Sequence, residues 1–407
     1  MSNVGTWMET VALASLVATR TRSATQVAVA SIAGFLPSAF AAPIGSALAD
    51  RFDRRRFLVT TLAIETAFAA LLTLLVATGE RRTLVLSAVV FAASIVNSAA
   101  LPNRQSVLPS LVERKDLGAA ISLGSASWNG GRVFGPLLAS LVAVVGPSWA
   151  FAANTVSFTV LLIAWKYVRL APTPRDESGA SVVALVREGF QIVRHDRRLR
   201  FAVVFIAMMG GTAGPFIGLL AIMAKKVHGG GAGITGLFVS AQGIGAVLGA
   251  IVATRLVSRF GRGRSMLANL VALPPLLVAY ALAPRPWVAA VALVFMGATY
   301  IGAFTGAQAV LQLNSPSEAR ARVLAVFSVG LGASYCVALG VSGPLGDWIG
   351  IREVTLGQAG ATVVGIALLS ITYPQWWERL ESDTILSSPT LRRRARFGRP
   401  TATRDQR

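Results

Sequence analysis

Three charged side chains lie well inside apolar stretches of the sequence, where they can do chemistry that a solvated side chain cannot. Arg132 is too far from either end of its stretch for the guanidinium to reach water easily, so it needs an acidic partner or a water-filled cavity. Glu9 and Glu65 are the only carboxylates in comparable positions. A carboxylate in such a place can pair with a cation or take up a proton, and competition between these two states can exchange protons for another bound group.

Arg132 belongs to a polar stripe on one face of a predicted helix. Successive members of the stripe are 3, 4, 3 and 4 residues apart, and they are Ser122, Ser125, Asn129, Arg132 and Pro136. Two roles for Arg132 stay open at this stage. It can form a fixed ion pair that braces neighbouring helices, or it can contact a bound solute or a proton-coupling group.

Glu9 is the favoured partner of Arg132, because other polar residues lie close to it in sequence. We predict that Glu9 and Arg132 face the same cavity and reach one another directly or through water. Asn97 and Asn129 are further candidates for solute binding or proton coupling. Glu65 is expected at the periphery, packed against a neighbouring helix or near lipid headgroups.

A short polar segment joins the apolar runs 26–49 and 57–79. Residues 50–56 contain four arginines and two aspartates in seven positions, so the segment cannot lie in lipid and forms a tight turn at the membrane surface. Its excess of positive charge marks that surface as cytoplasmic. The predicted gating motif in this turn consists of Asp50, Arg51, Asp53, Arg54 and Arg55. We expect Asp50 to pair with a helix end in the other half of the chain.

Two local features of the sequence recur at one offset. The turn Arg51–Arg56 is echoed by Arg259–Arg264, and 259 − 51 = 208. The pair Gly135-Pro136 recurs as Gly343-Pro344, and 343 − 135 = 208. Unrelated features that share one offset indicate an internal duplication, which is common among membrane proteins.

The composition is that of a membrane protein. Mean hydropathy is +0.62 and 54% of the 407 residues are hydrophobic, whereas only 14% are charged. The net charge of +20 lies in short turns between apolar runs, where it sets orientation and does not indicate nucleic-acid binding. One cysteine and two histidines in polar stretches predict no metal site, and Gly229–Gly231 lacks the lysine of a nucleotide-binding loop. No cofactor is expected.

The apolar runs predict an all-α membrane protein with twelve transmembrane helices, arranged as two six-helix pseudo-repeats. The runs are roughly 1–19, 24–49, 57–79, 84–102, 118–145, 149–168, 201–224, 234–257, 265–283, 287–311, 323–345 and 354–374. They divide the chain into an N-terminal half (1–170), a linker (171–200), a C-terminal half (201–374) and a basic tail (375–407). Of the 38 lysines and arginines, 29 lie on the side of the 50–56 turn and 8 on the other side. We therefore expect an inner-membrane protein with both termini in the cytoplasm.

The linker and the tail are both basic. The pattern of valine, leucine and phenylalanine among charges over 182–197 predicts an amphipathic helix, which either lies in the membrane interface or is a plain connector. The tail is expected to be disordered and attracted to anionic headgroups.

Four motifs resemble the major facilitator superfamily, and within it the enterobactin-exporter-like, drug-efflux-related bacterial branch. They are Ser2–Met8, Ala49–Arg55, Leu101–Gln105 and the Arg132-x-x-Gly-Pro136 sequence. Relatives in this branch carry a basic stretch and part of the first helix before the position of Ser2, so either the start is misassigned or the first span is short. The resemblance implies a central cavity lined by spans 1, 4, 7 and 10, with spans 2, 5, 8 and 11 forming the contact between the halves.

Further residues acquire candidate roles from this arrangement. The cavity candidates are Met208, Tyr300, Phe304 and Gln308. The candidates for helix packing and bending are Gly131, Gly135, Pro136, Gly245, Gly249, Gly343 and Pro344, with Gly245 and Gly249 on span 8 expected to face span 5.

The function expected from these patterns is secondary active transport and not enzymatic catalysis. We expect a monomeric, proton-coupled exporter of small, partly apolar molecules such as drugs or a siderophore. A non-transporting sensor or assembly partner of the same fold is the alternative from another class. An importer of a small solute is the third possibility, although it would need more charged or amide groups in the cavity.

Overall fold

The computed structural model of the protein describes residues 2–41, 54–112, 116–168, 182–316, 319–374 and 376. Within these ranges the chain forms α-helices, a short 3₁₀ segment (Leu36–Ala39) and turns, and contains no strand. The helices are α1 (Ser2–Thr21), α2 (Ala24–Phe35), α3 (Arg54–Ala77), α4 (Thr83–Leu111), α5 (Leu117–Val142), α6 (Pro147–Tyr167), α7 (Val182–His195), α8 (Arg197–Thr212), α9 (Pro215–Lys226), α10 (Ala232–Phe260), α11 (Arg262–Ala281), α12 (Pro286–Asn314), α13 (Arg320–Trp348) and α14 (Ile351–Thr372).

Nine segments of the described chain are helical, long and apolar enough to cross a membrane. They correspond to α3, α4, α6, the α8–α9 pair, α10, α11, α12, α13 and α14. Helices α1, α2 and α5 do not meet this measure, since α2 is short and α5 carries the polar stripe around Arg132. The described chain is therefore all-helical, with nine segments suited by length and composition to cross a membrane, and the count of twelve stays a prediction.

One apolar stretch, Arg197–Lys226, is broken near its middle. Helix α8 ends at Thr212 and α9 begins at Pro215, whose missing backbone N–H is tolerated at the first position of a helix. Most of α9 is buried among neighbouring helices. The break thus turns one predicted span into two helices that can pack at different angles.

Two helix pairs form the most extensive contacts between α1–α6 and the later helices: α2 packs against α13, and α5 packs against α10. Helix α1 packs on α5 and α6 and also reaches α9. The four helices of the two pairs are those that the resemblance placed between the halves. A candidate solute site is therefore expected where α1, α5 and α10 meet.

The linker helix α7 docks on the protein. The Glu188 carboxylate forms an ion pair with Arg322 at the start of α13, and a Cβ added to Gly189 would lie within 2.8 Å of the Arg322 carbonyl carbon. Phe190 keeps 57% of its surface exposed. An amphipathic helix at this place agrees with the sequence, and its position against lipid stays a prediction.

Candidate functional site

Arg132 occupies the junction of α1, α5 and α10. Its Nη2 donates a hydrogen bond to Oε1 of Gln242 on α10 at 2.8 Å, and its guanidinium carbon lies 5.7 Å from the centroid of the Trp7 ring on α1. Tyr300 of α12 is near enough for an electrostatic interaction with it. The Nε atom is buried and has no hydrogen-bond partner among the described residues. Arg132 therefore contacts a neutral amide and an aromatic ring, and its Nε–H has no hydrogen-bond acceptor among the described residues.

Glu9 lies on another side of α1. Its carboxylate accepts a hydrogen bond from Nδ2 of Asn154 on α6 at 2.6 Å, and Asn154 is only 1% exposed. Trp7 and Glu9 are two residues apart, a separation of about 200° around a helix, so the two side chains point to different neighbours. Within the described part of the chain, no ion pair joins Glu9 to Arg132. The roles predicted for these two residues stay predictions, but the direct contact is not present in this structure.

The sequence predicted Glu65 either packed against a neighbouring helix or near lipid headgroups, and the structure buries it against α4. Its Oε1 lies 2.5 Å from Nη2 of Arg104 on α4, and only 3% of its side-chain surface is exposed. Asn97, a predicted coupling residue, lies on the same helix as Arg104, two turns before it. The physical reason is that a cation on the neighbouring helix compensates for the cost of a carboxylate in the membrane. The Leu101–Gln105 motif, which contains Arg104, was the available signal for this pair.

Most of the predicted gating motif lies outside the described residues. Asp50, Arg51 and Asp53 lie outside the described ranges. Of Arg54, the first residue of α3, the structure describes only the backbone. The Nε of Arg55 donates a hydrogen bond to the carbonyl oxygen of Val168 at 3.1 Å, which ties the start of α3 to the end of α6. The gating role of the motif stays a prediction.

The predicted cavity residues separate into different environments. Tyr300 lies near Arg132, with its ring 6.2 Å from that of Phe216 on α9. Phe304 lies one turn further along α12 and faces Phe327 on α13 at 5.8 Å between ring centroids. Gln308 follows one turn later and is partly exposed.

Met208 differs from the other cavity candidates. A Cβ added to Gly365 would come within 2.8 Å of its Cγ, so Met208 packs against α14. Asn129 precedes Arg132 by one turn on α5 and is partly exposed. The structure thus brings Gln242 and Trp7 into contact with Arg132 and places Tyr300 within electrostatic range of the guanidinium; we call these four residues the Arg132 cluster.

The glycines of α5 bring α1 close. A Cβ on Gly131 would lie 2.9 Å from the backbone carbon of Asn3, and a Cβ on Gly135 would lie 2.6 Å from the Trp7 Cβ. Pro136, inside α5, follows directly. These residues position Trp7 against Arg132, because a larger side chain at either glycine would push the two helices apart.

Gly245 and Gly249 face α12, although the sequence placed them against span 5. A Cβ on Gly245 would lie 2.6 Å from the backbone carbon of Val294, and one on Gly249 would meet the Ala298 backbone. The α5-facing side of α10 instead contains Ser240, whose Oγ donates to the carbonyl oxygen of Val133 at 3.0 Å. The glycine motif is therefore a packing surface for a different neighbour, and sequence spacing does not say which helix a face meets.

Gln242, Trp7 and Asn154 were not predicted as site residues. Each is a polar or aromatic side chain inside an apolar helix, and that is the signal that was present. Serines, threonines and amides of this kind are frequent in membrane helices, where they bond to their own backbone, so the signal is weak without a neighbour to explain it.

Comparison with known proteins identifies the family. The model of the transmembrane secretion effector family matches residues 1–395. The chain is 23% identical over 264 residues to the staphyloferrin A transporter of Staphylococcus aureus, a match that covers 63% of this chain and 65% of that protein. It is 21% identical over 390 residues to the MFS-type transporter YfiS of Bacillus subtilis, covering 91% of this chain and 90% of YfiS.

Solved structures of transporters share the fold. A crystal structure of the nucleoside transporter NupG superposes with a TM-score of 0.70 at 14% identity, covering 92% of this chain and 98% of that one. The inward-facing structure of a bacterial homologue of the iron transporter ferroportin superposes with a TM-score of 0.68 at 17% identity, covering 91% and 96%. Together with the match to the family model, this likeness confirms the resemblance read from the sequence motifs. The chain belongs to the transmembrane secretion effector family of the major facilitator superfamily and is a multi-pass membrane transporter, not an enzyme.

Proposed function

We propose that this protein is a proton-coupled exporter of small, partly apolar molecules that carry an anionic or strongly polar group, and that it works by alternating access. Siderophores and drugs of this kind are the proposed substrates, and the protein is proposed to act as a monomer in the inner membrane. The observation that carries the proposal is the Arg132 cluster at the junction of α1, α5 and α10.

The cluster has the chemistry to bind such a molecule. A guanidinium offers five N–H donors, and Arg132 uses Nη2 on Gln242 while its buried Nε has no partner among the described residues. The remaining donors suit a carboxylate or another polar group of the substrate. Trp7 and Tyr300 supply aromatic surface for the apolar part. Similarity to a siderophore transporter, at 23% identity, supports the same substrate class.

Glu9 is the proposed proton carrier. Its partner is the neutral amide of Asn154, whereas Glu65 is held in an ion pair by Arg104. A carboxylate with a neutral partner can change its charge without breaking an ion pair. Because Trp7 on the same helix contacts Arg132, a movement of α1 that accompanies proton uptake reaches the substrate site. Coupling through α1 thus replaces the direct competition that the sequence suggested.

We also propose twelve membrane spans in two related halves. The starts of two helix pairs support the repeat: α2 and α10 begin 208 residues apart (232 − 24), and so do α3 and α11 (262 − 54). This is the offset found between the sequence motifs. The charge asymmetry supports a cytoplasmic position for both termini, the linker and the tail, with the basic loops and the tail proposed to contact anionic lipid.

Counterflow into proteoliposomes tests the proposal. Purified protein is reconstituted, and the panel consists of carboxylate-bearing siderophores and drugs, with apolar cationic drugs for contrast. We expect exchange of anionic or polar members and accumulation against a gradient when a pH difference is imposed. The Glu9→Gln variant should keep exchange but lose the response to the pH difference, and Arg132→Gln should lose exchange. Arg255→Gln, which removes an exposed arginine of α10, is the matched control.

Three outcomes contradict parts of the proposal. Binding without exchange for the whole panel would indicate a sensor or an assembly partner. Exchange that ignores pH in the wild type would remove proton coupling. Net movement only toward the cytoplasmic side in oriented vesicles would indicate an importer.

A further inference from the structure

Asp347, near the end of α13, gathers hydrogen-bond donors from two other helices. Its carboxylate accepts from Oγ of Ser23 at 2.6 Å and from the backbone N–H groups of Ala24 at 2.7 Å and Thr25 at 3.0 Å, all at the start of α2. The Nζ of Lys226, the last residue of α9, lies 2.9 Å away. One side chain therefore joins the ends of α2, α9 and α13.

Small residues let α13 come close enough for this contact. A Cβ added to Gly343 would lie 2.9 Å from the Thr25 Cα, and one added to Gly346 would lie 3.0 Å from the Ala24 Cβ. The helices are thus held together both by packing and by a carboxylate that satisfies backbone N–H groups left unpaired at the start of a helix.

The contacts of α2 with α9 and α13 continue toward the middle of the molecule. Two turns into α2, Oγ of Ser31 donates a hydrogen bond to the carbonyl oxygen of Gly218 on α9 at 3.0 Å. One turn further, the rings of Phe35 and Tyr335 of α13 are 4.7 Å apart between centroids. All these contacts join a helix of the first six to a later one. A transporter that opens at this end must therefore break all of them and form them again in each cycle.

We propose that Asp347 is a positioning residue of the transport cycle: it latches α13 and α9 to the start of α2 and holds this end of the molecule closed. The latch is reversible because α2 keeps a cap of its own. The Ser23 Oγ accepts a hydrogen bond from the Gln26 N–H at 3.2 Å, and this bond does not involve Asp347. By the predicted topology this is the outer end, and the inference rests on the proposed alternating-access cycle.

The test measures opening directly and needs no transported substrate. Spin labels are placed at cysteines that replace Thr78 and Arg285, both exposed in loops at this end, in a Cys336→Ser background. Distances between the labels are measured by pulsed electron paramagnetic resonance in nanodiscs. The labelled protein with Asp347 unchanged should give mainly the short distance between the two labels. Asp347→Ala should raise the ratio of long to short distances on the order of tenfold, which corresponds to about 1.4 kcal/mol. Asp347→Asn should give a smaller rise, because an amide oxygen still accepts from α2.

Two further variants separate the latch from a general effect of charge. Glu353→Gln removes an exposed carboxylate at the same end of the molecule and should leave the distances unchanged. The exchange Asp347→Lys with Lys226→Asp restores an ion pair but cannot accept the N–H groups of α2, so it should stay as open as Asp347→Ala.

Each contrary result overturns a stated part of the inference. Unchanged distances in a monodisperse Asp347→Ala protein would show that Asp347 does not hold this end closed. Closure restored by the charge exchange would show that the ion pair alone holds this end and that the start of α2 has no part in it. A failure of counterflow bears on the proposed function, and it leaves these distance measurements interpretable.

Discussion

Removing both charges of the buried Glu65–Arg104 pair should destabilise the protein by less than the sum of the two single removals. The pair joins α3 to α4 with 2.5 Å between Oε1 and Nη2. Glu65→Gln leaves the arginine without its carboxylate, and Arg104→Gln leaves a carboxylate buried among helices. The double variant places two amides opposite one another, and these can form a neutral hydrogen bond.

The burial of the two side chains sets the size of each effect. Breaking a buried ion pair by removing one partner costs about 3–5 kcal/mol, and Arg104→Gln should fall in this range because the remaining carboxylate is 3% exposed. Glu65→Gln should cost less, about 1–3 kcal/mol, because the Arg104 side chain is 27% exposed and water compensates for part of the loss. The double variant should recover about 2 kcal/mol of the sum of the two single costs.

The assay is a double-mutant cycle on the free energy of unfolding of the purified protein in detergent. Glu353→Gln is the matched control, because it removes an exposed carboxylate in the first turn of α14. Its unfolding should match that of the wild type. If the double variant costs as much as the two single variants added together, the two charges do not interact and the reasoning is refuted.

Three other predictions test the packing, the ionisation and the topology. Gly135→Ala should destabilise the protein by about 1–3 kcal/mol, because the added Cβ would force α5 away from α1. Gly124→Ala on the same helix should be neutral or stabilising by up to about 1 kcal/mol, because a Cβ there meets nothing within 4 Å. Thermal unfolding of the two variants measures the difference. Burial, and next the charge of a nearby arginine, hold the pKa of His228 below its usual value, so the unfolded chain binds the proton more readily and stability should fall as pH drops below about 6.5. His228→Gln should flatten that part of the stability profile, and an unchanged profile would contradict this assignment. A cysteine at position 231 should react with a membrane-impermeant maleimide in intact cells, and one at position 178 only after lysis. The opposite labelling pattern would show that the predicted orientation in the membrane is wrong.

The transmembrane helices follow directly from the sequence. The apolar run 57–79 became α3, Arg54–Ala77, and the run 149–168 became α6, Pro147–Tyr167. This succeeds because a backbone in lipid must satisfy its own hydrogen bonds, so a long apolar run has hardly any choice but a helix. The four sequence motifs also sufficed to recognise the superfamily. They indicate the fold, but they do not identify the substrate.

The partners of the polar side chains were decided by tertiary structure. The sequence showed that Arg132 cannot lie alone in a membrane, and Glu9 was the chemically sensible partner. The structure gives Arg132 the amide of Gln242, 110 residues away, gives Glu9 the amide of Asn154, and buries Glu65 against Arg104. Each of these pairings gives a polar side chain a hydrogen-bond partner, so the sequence alone does not choose among them.

The reason lies in how helices are placed. The 3.6-residue period determines which side chains share a face of one helix, so the sequence alone determines faces such as the stripe around Arg132. It does not determine how that helix is rotated and shifted against its neighbours, because this depends on the packing of all the helices at once. Gly245 and Gly249 show the difference: their common face was predictable, whereas the choice of α12 over α5 as its neighbour was made only by the folded bundle.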